Sequence, residues 1–129
     1  MEKVKYLVDT CIFVDAFRGN KKAKDFLNSI KDKIAISCIA EMELYIGAKT
    51  KERKKDLEKQ LRIYSKVLID VETSIKALQL MKKYNSKNRN LHIADCFIAA
   101  SALVNNYPLV TNNTSDFEFI EGLKLLKAN

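Results

Sequence analysis

The sequence predicts an α/β protein, a three-layer α/β/α sandwich with a short, mainly parallel sheet. Two observations predict it. Short apolar runs alternate along the chain with segments of helical periodicity, and no two of these runs are joined by the tight Gly- or Asn-containing turn of a β-hairpin. At 129 residues the chain has the length of one ordinary domain. We expect residues 1–129 to form a single domain.

The first half of the chain begins with a β-branched and aromatic run at residues 4–8, which predicts a strand. A helix over residues 11–17 should follow and end at Gly19. Apolar residues at steps of three and four predict a second helix over residues 22–30. Residues 34–37 (IAIS) predict the second strand, and residues 38–48 have helix-forming composition and end near a glycine.

The second half of the chain opens with a highly charged segment, residues 50–66, whose one-sided apolar stripe predicts a helix. Residues 67–71 (VLIDV) predict the third strand, and a helix capped by residues 72–74 should run to about Tyr84. After a polar break at residues 85–90, a nearly all-apolar helix is expected over residues 91–104. Strands are then predicted at residues 109–111 and 123–126.

Composition excludes several classes of protein. Three widely separated glycines rule out a dinucleotide fingerprint, a P-loop and a serine-hydrolase elbow. Three scattered cysteines and one histidine make a zinc site or a disulfide framework improbable, which favours reduced thiols in a cytoplasm. The longest apolar stretch, residues 96–104, is less than half of the ~20 residues that a membrane span needs.

The chain is basic, with 23 Lys and Arg against 16 Asp and Glu. A net charge of +7 favours a polyanionic partner, nucleic acid before an anionic membrane. Lysine-rich solubility is the alternative explanation. Two basic segments stand out: residues 49–66, where solvated helix faces explain the charge equally well, and a second patch without acidic residues, which we take as the better candidate for RNA contact. The second patch consists of Lys82, Lys83, Lys87 and Arg89.

Acidic residues follow the predicted strands. Asp9 comes directly after the first strand, Glu41 and Glu43 lie on the element after the second, and Asp116 lies in the loop after the fourth. In a parallel sheet these positions share one edge, where ligands bind. Each acid alone has a structural explanation, as a helix cap or a loop residue. Together they predict a site for a hard divalent cation such as Mg²⁺ or Mn²⁺.

Asp95 interrupts the most apolar predicted helix. An unpaired charge in a buried helix costs several kcal/mol, which is about enough to keep the carboxyl group protonated and neutral. Three compensations are open: a buried Lys or Arg, a helix that begins near Asp95, or a bound cation.

Four segments resemble the PIN-domain ribonucleases, most closely the compact VapC-type toxins of prokaryotic toxin–antitoxin pairs. They are residues 6–11 (YLVDTC), 37–48 (SCIAEMELYIGA), 94–100 (ADCFIAA) and 109–117 (LVTNNTSDF), in the order of the family. The resemblance implies a catalytic metal site made by Asp9, Glu43, Asp95 and Asp116. Glu43 is chosen over Glu41 because residues 43–48 fit the family pattern Glu-Leu-x-x-Gly-Ala without a gap.

Three further residues are implied as auxiliary to the metal site. Thr10 has two open roles, as a hydroxyl donor or as a helix cap, and Thr111 would offer a hydroxyl to a ligand or a bound water. Asn113 stands where many relatives have a further acid, which puts a second metal ion in doubt. Cys11 receives no chemical role.

The resemblance implies a Mg²⁺- or Mn²⁺-dependent endoribonuclease that leaves a 5′-phosphate and a 3′-hydroxyl. It also implies a homodimer and a cognate antitoxin that blocks the acidic pocket. A housekeeping RNA-processing nuclease and a catalytically idle RNA- or protein-binding module are the alternatives. Response-regulator receivers and haloacid-dehalogenase-like phosphatases are disfavoured, because Asp9-Thr10-Cys11 supplies no second acid and no lysine ends a predicted strand.

Overall fold

The computed structural model describes residues 5–89 and 91–128. The strands of this part of the chain are β1 (Tyr6–Val8), β2 (Ile34–Ser37), β3 (Ser65–Val67), β4 (Leu109–Val110) and β5 (Leu125–Leu126). The helices are α1 (Thr10–Phe17), α2 (Lys21–Ser29), α3 (Cys38–Gly47), α4 (Lys51–Leu61), α5 (Val71–Tyr84) and α6 (Ile93–Asn105). Short 3-10 turns occupy Lys31–Lys33 and Thr114–Asp116.

All neighbouring strands of the sheet are parallel, in the order β3-β2-β1-β4-β5. Leu7 at the centre lies opposite Ala35 of β2 on one side and Leu109 of β4 on the other. The chain adds strands outward from β1 to β3 and then returns to place β4 on the other side of β1. The strand order therefore reverses between β1 and β4, where open parallel sheets form a ligand crevice beyond their carboxyl ends.

Side chains alternate across the sheet and so build two cores. Val8, Ile36 and Val110 point to one face, where they pack with buried residues of α1 to α4. Leu7, Ala35 and Leu109 point to the other face, where α5 and α6 cover them. The predicted three-layer sandwich with a parallel sheet is therefore confirmed.

The third strand is not where the sequence analysis placed it. The prediction of residues 67–71 is wrong, because the Asp70 carboxylate accepts the Thr73 amide (2.8 Å) and begins α5 at Val71. The charged helix ends at Leu61 instead of residue 66. Lys66 lies within β3, which pairs with β2, and its ammonium group donates to the Leu61 carbonyl (2.6 Å) and pairs with the Glu41 carboxylate (2.6 Å).

The last long helix begins two residues later than predicted. His92 is its N-cap residue, so that Asp95 lies in the first turn and not in the middle of the helix. A carboxylate near a helix N-terminus interacts favourably with the helix dipole. Of the predicted elements, Val4 of the first strand and Asn90 of the polar break lie outside the described residues. In the described part of the chain, no helix is long and apolar enough to cross a bilayer.

Ser37 ends β2 and caps α3, the helix that carries Glu43. Its hydroxyl accepts the Ile39 amide (3.1 Å) at a position that is 1% exposed. We expect Ser37→Ala to lower the free energy of unfolding by about 1 kcal/mol, because the amide loses its partner in a buried place. Urea denaturation measures the change. Ser29→Ala, which removes a solvent-exposed hydroxyl, is the control and should change stability by less than ~0.5 kcal/mol; equal effects of the two variants would contradict the assignment.

Candidate metal centre at the carboxyl edge of the sheet

The site is built where the strand order reverses. Asp9 follows β1 and Thr111 follows β4, and the Asp9 amide donates to the Val110 carbonyl (2.9 Å). The Thr111 hydroxyl donates to Oδ2 of Asp9 (2.8 Å) and accepts the Asn113 amide (3.1 Å). Thr111 is fully buried. Two residues separated by about a hundred positions are therefore joined by one buried hydrogen bond.

Asp9 is the buried centre of the cluster, with 6% of its surface exposed. Its Oδ1 accepts a hydrogen bond from the Thr10 amide (2.9 Å), and Asp9 is the N-cap residue of α1. Its Oδ2 accepts from Thr111 and lies 3.7 Å from the Cys11 thiol. Burial raises the pKa of Asp9, and the nearby Glu43 charge raises it further, while these hydrogen bonds oppose both.

Glu43 projects from α3 toward the first turn of α1. The Thr10 hydroxyl donates to Oε1 of Glu43 (2.8 Å), and the N-cap residue of α1 is Asp9. Glu41 is held elsewhere, because its carboxylate pairs with Lys66 of β3. Of the two glutamates considered from the sequence, Glu43 is the one that lies with Asp9.

The charges of the other three acids of the site all raise the pKa of Asp95. Burial raises its pKa to about 6, with further contributions from the charges of Asp9, Asp116 and Glu43, and His92 acts in the opposite direction. Among the described residues Asp95 forms no ion pair with Lys or Arg. The compensation by a buried cationic side chain is therefore not found there. The second compensation is present, because α6 begins at Ile93 and Asp95 lies in its first turn, and a bound cation would add to it.

Asp116 closes the site from the other side. It ends the 3-10 turn Thr114–Asp116, is exposed, and its amide donates to the Asn113 carbonyl (3.0 Å). Because Asn113 is bonded through its own amide to Thr111, the same buried hydroxyl that orients Asp9 also fixes the start of this turn.

The donor set suits a hydrated divalent cation. The four acids offer oxygen ligands, and their mutual repulsion, visible in the pKa of Asp95, favours positive charge between them. Within residues 5–89 and 91–128, no three Asp, Glu, His or Cys side chains lie close enough to hold an ion by themselves. Mg²⁺ keeps several water ligands and uses only one or two carboxylates directly, so that a loose carboxylate cluster fits its coordination.

The predicted RNA-contact patch lies on the other layer of the molecule. Lys82 and Lys83 end α5, where the Lys83 ammonium reaches the Glu121 carboxylate (3.4 Å) and the Tyr84 ring. The Arg89 guanidinium stacks on the Phe119 ring at 4.0 Å. Lys83 and Arg89 therefore have partners within the chain, while Lys82 and Lys87 are exposed.

Sequence reasoning missed the surroundings of Glu43. Arg18 lines the same cavity as Glu43, together with Arg53 from the first basic segment. A single arginine before Gly19 belongs to no motif or periodic pattern. The available signal was Gly47, a glycine at the end of a helix where the backbone does not need one.

Comparisons with known proteins agree with this fold and site. Residues 6–122 match the PIN domain family, so the chain belongs to the PIN-domain family. Its relatives include ribonucleases VapC. Ribonuclease VapC1 of Methanocaldococcus jannaschii is 29% identical over 126 residues, which cover 96% of this chain and 88% of that protein. Ribonuclease VapC2 of Rickettsia felis is 30% identical over 129 residues, with 93% and 95% covered.

A solved structure extends the likeness to three dimensions. The toxin–antitoxin complex from Klebsiella pneumoniae contains a chain that superposes with a TM-score of 0.82 at 29% identity. The match covers 97% of this chain and 98% of that one.

The raised pKa of Asp95 predicts a pH-dependent stability. The unfolded group titrates near 3.9 and the folded one near 6, so the folded state binds the proton more tightly and loses stability as pH rises through that window. In EDTA, Asp95→Asn should therefore be more stable than the wild type by about 1–2 kcal/mol at pH 7.5, a value reduced for solvent screening. At pH 4 the two should be equal. Urea denaturation at both pH values tests this, and an Asn variant that is no more stable at pH 7.5 would contradict it.

Thr111 should act by orienting Asp9. Thr111→Val leaves the Asp9 carboxylate with one donor fewer, which raises its pKa further, and leaves the Asn113 amide without its acceptor. We expect a loss of about 1–2 kcal/mol in unfolding free energy and a shift of the acidic limb of the pH–activity profile to higher pH. Thr111→Ser, which keeps the hydroxyl, should restore the profile. A Val variant with the wild-type profile would show that the hydrogen bond is only structural.

Proposed function

We propose that this protein is a Mg²⁺- or Mn²⁺-dependent endoribonuclease and the toxin of a toxin–antitoxin pair. The observation that carries the proposal is the convergence of the Asp9, Glu43 and Asp116 charges on Asp95 at the switch point of the sheet. The VapC ribonucleases among the relatives, covered over nearly their whole length, support the same activity. Residues 1–129 then form one nuclease domain.

The proposed metal ligands are Asp9, Glu43, Asp95 and Asp116. A divalent cation bound there would lower the pKa of a bound water and neutralise charge on the phosphodiester. The protein supplies the orientation: Thr111 and the Thr10 amide fix the two oxygens of Asp9, and the Thr10 hydroxyl fixes Glu43. Asn113 and Thr111 set the turn that presents Asp116. Hydrolysis adds water across the P–O3′ bond and gives a 5′-phosphate and a 3′-hydroxyl.

The proposed partners are an antitoxin and a second copy of the chain. The structural relative from Klebsiella pneumoniae is a toxin–antitoxin complex, which supports an antitoxin here. Val71, Ile75 and Leu78 form an exposed apolar stripe on α5, and Met42 and Ile46 are exposed on α3. Exposed apolar surface of this kind marks protein interfaces, and we propose that these faces of α5 and α3 form the homodimer surface.

Two alternatives use the same fold. A housekeeping RNA-processing nuclease would have the same site and no neighbouring antitoxin, so that an adjacent gene whose product blocks cleavage separates the two. An idle binding module would bind RNA without cutting it. The three free cysteines of the structure and the RNA substrate fit a cytoplasmic location.

Removal of the metal or of a proposed ligand should abolish cleavage. We expect single-stranded RNA to be cut in Mg²⁺ or Mn²⁺, and EDTA, Asp9→Asn or Asp95→Asn to reduce the rate by at least about 100-fold. Gel analysis of a labelled RNA measures the rate. Asp32→Asn, in the 3-10 turn Lys31–Lys33, is the matched control and should keep the wild-type rate. Cleavage that survives EDTA and Asp95→Asn would overturn the nuclease assignment.

A further inference from the structure

A groove lies beside Glu43, one of the four acids, and extends over residues of α1, α2, α3 and α4. Its first part is a cavity of about 520 Å³ that Glu43 lines. Its second part, about 400 Å³, shares two lining residues with the first, Phe17 and Gln60, and so continues it. We call this the α1–α4 groove; its other residues used below are Arg18, Lys24, Gly47 and Arg53.

Three cationic side chains line the α1–α4 groove. Arg18 and Arg53 are exposed and line the first part, and Lys24 lines the second. Among the described residues none of the three pairs with an acid, although Asp56 lines the same cavity as Arg53. Positive groups in a groove next to carboxylates are available for an anionic chain that must approach those carboxylates.

Phe17 presents an aromatic surface in the middle of the groove. It ends α1, lines both parts and is 43% exposed, with the buried Phe13 ring 6.3 Å behind it. Exposing this much of an aromatic ring to water is unfavourable, and the exposed face is available for stacking. Aromatic faces interleaved with cationic side chains are how proteins bind single-stranded nucleic acids.

Gly47 lines the groove without adding a side chain to its wall. It is the last residue of α3 and has no left-handed backbone conformation, since the positive-φ glycines are Gly19 and Gly122. A Cβ at this position would meet no atom within 4 Å, so neither packing nor conformation requires glycine. Glycine costs stability in a helix relative to alanine. Its place in the lining, beside Glu43 and Arg53, points to close approach of a ligand to the helix backbone.

We propose that the α1–α4 groove binds the RNA on one side of the scissile bond, with a base stacked on Phe17 and phosphates contacted by Arg18 and Arg53. The proposal rests on the proposed function and replaces the Lys82–Arg89 patch as the main substrate contact, because Lys83 and Arg89 already have partners in the chain. A peptide is the competing occupant. RNA is favoured because Glu43, a proposed metal ligand, lines the groove, and because the exposed side chains of the groove include two arginines, a lysine and an aromatic ring.

The first test removes the stacking surface. The probe is an unstructured RNA of mixed sequence, cleaved in Mg²⁺ as a fluorophore–quencher pair, and bound in EDTA as a fluorescein-labelled strand followed by anisotropy. We expect Phe17→Ala to raise KM and the EDTA Kd about tenfold with kcat within about twofold. Phe17→Tyr should restore both. Ile63→Ala, which truncates an exposed apolar residue between α4 and β3, is the matched control and should change neither.

The second test removes charge. The double variant Arg18→Gln/Arg53→Gln should make the plot of log Kd against log salt shallower by about 1.4, that is about 0.7 for each phosphate contact. Lys82→Gln/Lys87→Gln removes the same charge from the patch that the sequence analysis favoured and should leave the slope unchanged. Gly47→Ala should raise the midpoint of urea unfolding and yet raise KM, a combination that a purely structural role does not produce.

The outcomes separate the two proposals. If RNA binds and the groove variants bind more weakly while no RNA is cut, the groove stands and the nuclease function fails. If RNA is cut and the groove variants keep the wild-type KM, Kd and salt slope, the groove is not the RNA site and a peptide becomes its occupant. If the lysine variant carries the loss of slope, the patch is the RNA site and the groove proposal is overturned.

Discussion

The structure depends on keeping several carboxylates close together at one edge of a parallel sheet. Asp9 is buried there, and the pKa of Asp95 is raised to about 6 by burial first and then by the charges of the other three acids. Two like charges ~4 Å apart repel by about 4 kcal/mol at an effective dielectric constant of ~20. The fold opposes this repulsion locally, through the Thr10 amide and the Thr111 hydroxyl on Asp9 and the Thr10 hydroxyl on Glu43. Such donors hold the oxygens in place but carry no net charge, and the remaining repulsion is what a cation relieves.

Sheet topology, and not local sequence, brings these residues together. β1 and β4 are adjacent only because the chain returns to the centre of the sheet after building β2 and β3 outward. The loops after β1 and β4 then meet, and one hydrogen bond between Thr111 and Asp9 joins them. α3 follows β2 at the same edge and brings Glu43, while α6 begins at that edge and brings Asp95. A change in strand order would leave every local element intact and disperse the site.

The sequence was sufficient for elements whose pattern is decided locally. Residues 34–37 form a short apolar run after three charged residues and are all buried, and the predicted strand matches β2. Prediction failed where a tertiary contact competes with the pattern. The run at residues 67–71 has strand composition, yet the Asp70 cap starts a helix within it. The strand lies earlier, at Ser65–Val67, where the backbone pairs with β2. From the sequence, Asp95 was expected in the middle of a buried helix, where its charge is unfavourable. The start of α6 after His92 was not recognised, because the His92 side chain makes no capping hydrogen bond. The family motifs identified the four acids, but no spacing rule indicates that Arg18 lies beside Glu43.

The charge distribution explains why substrate contacts should begin just outside the acidic cluster. The chain carries +7 overall, yet the site that must receive a phosphodiester is locally negative, and screening limits the reach of distant lysines to about 8–10 Å at physiological salt. Cations that act on the RNA next to the scissile bond must therefore lie close to the acids, and Arg18 and Arg53 line the same cavity as Glu43. A divalent cation among the acids reduces the local negative charge, so RNA and cation should each strengthen the binding of the other by the same factor. The acidic cluster should therefore control RNA binding as well as catalysis. Without the cation, its negative charge repels the RNA that the adjacent groove attracts.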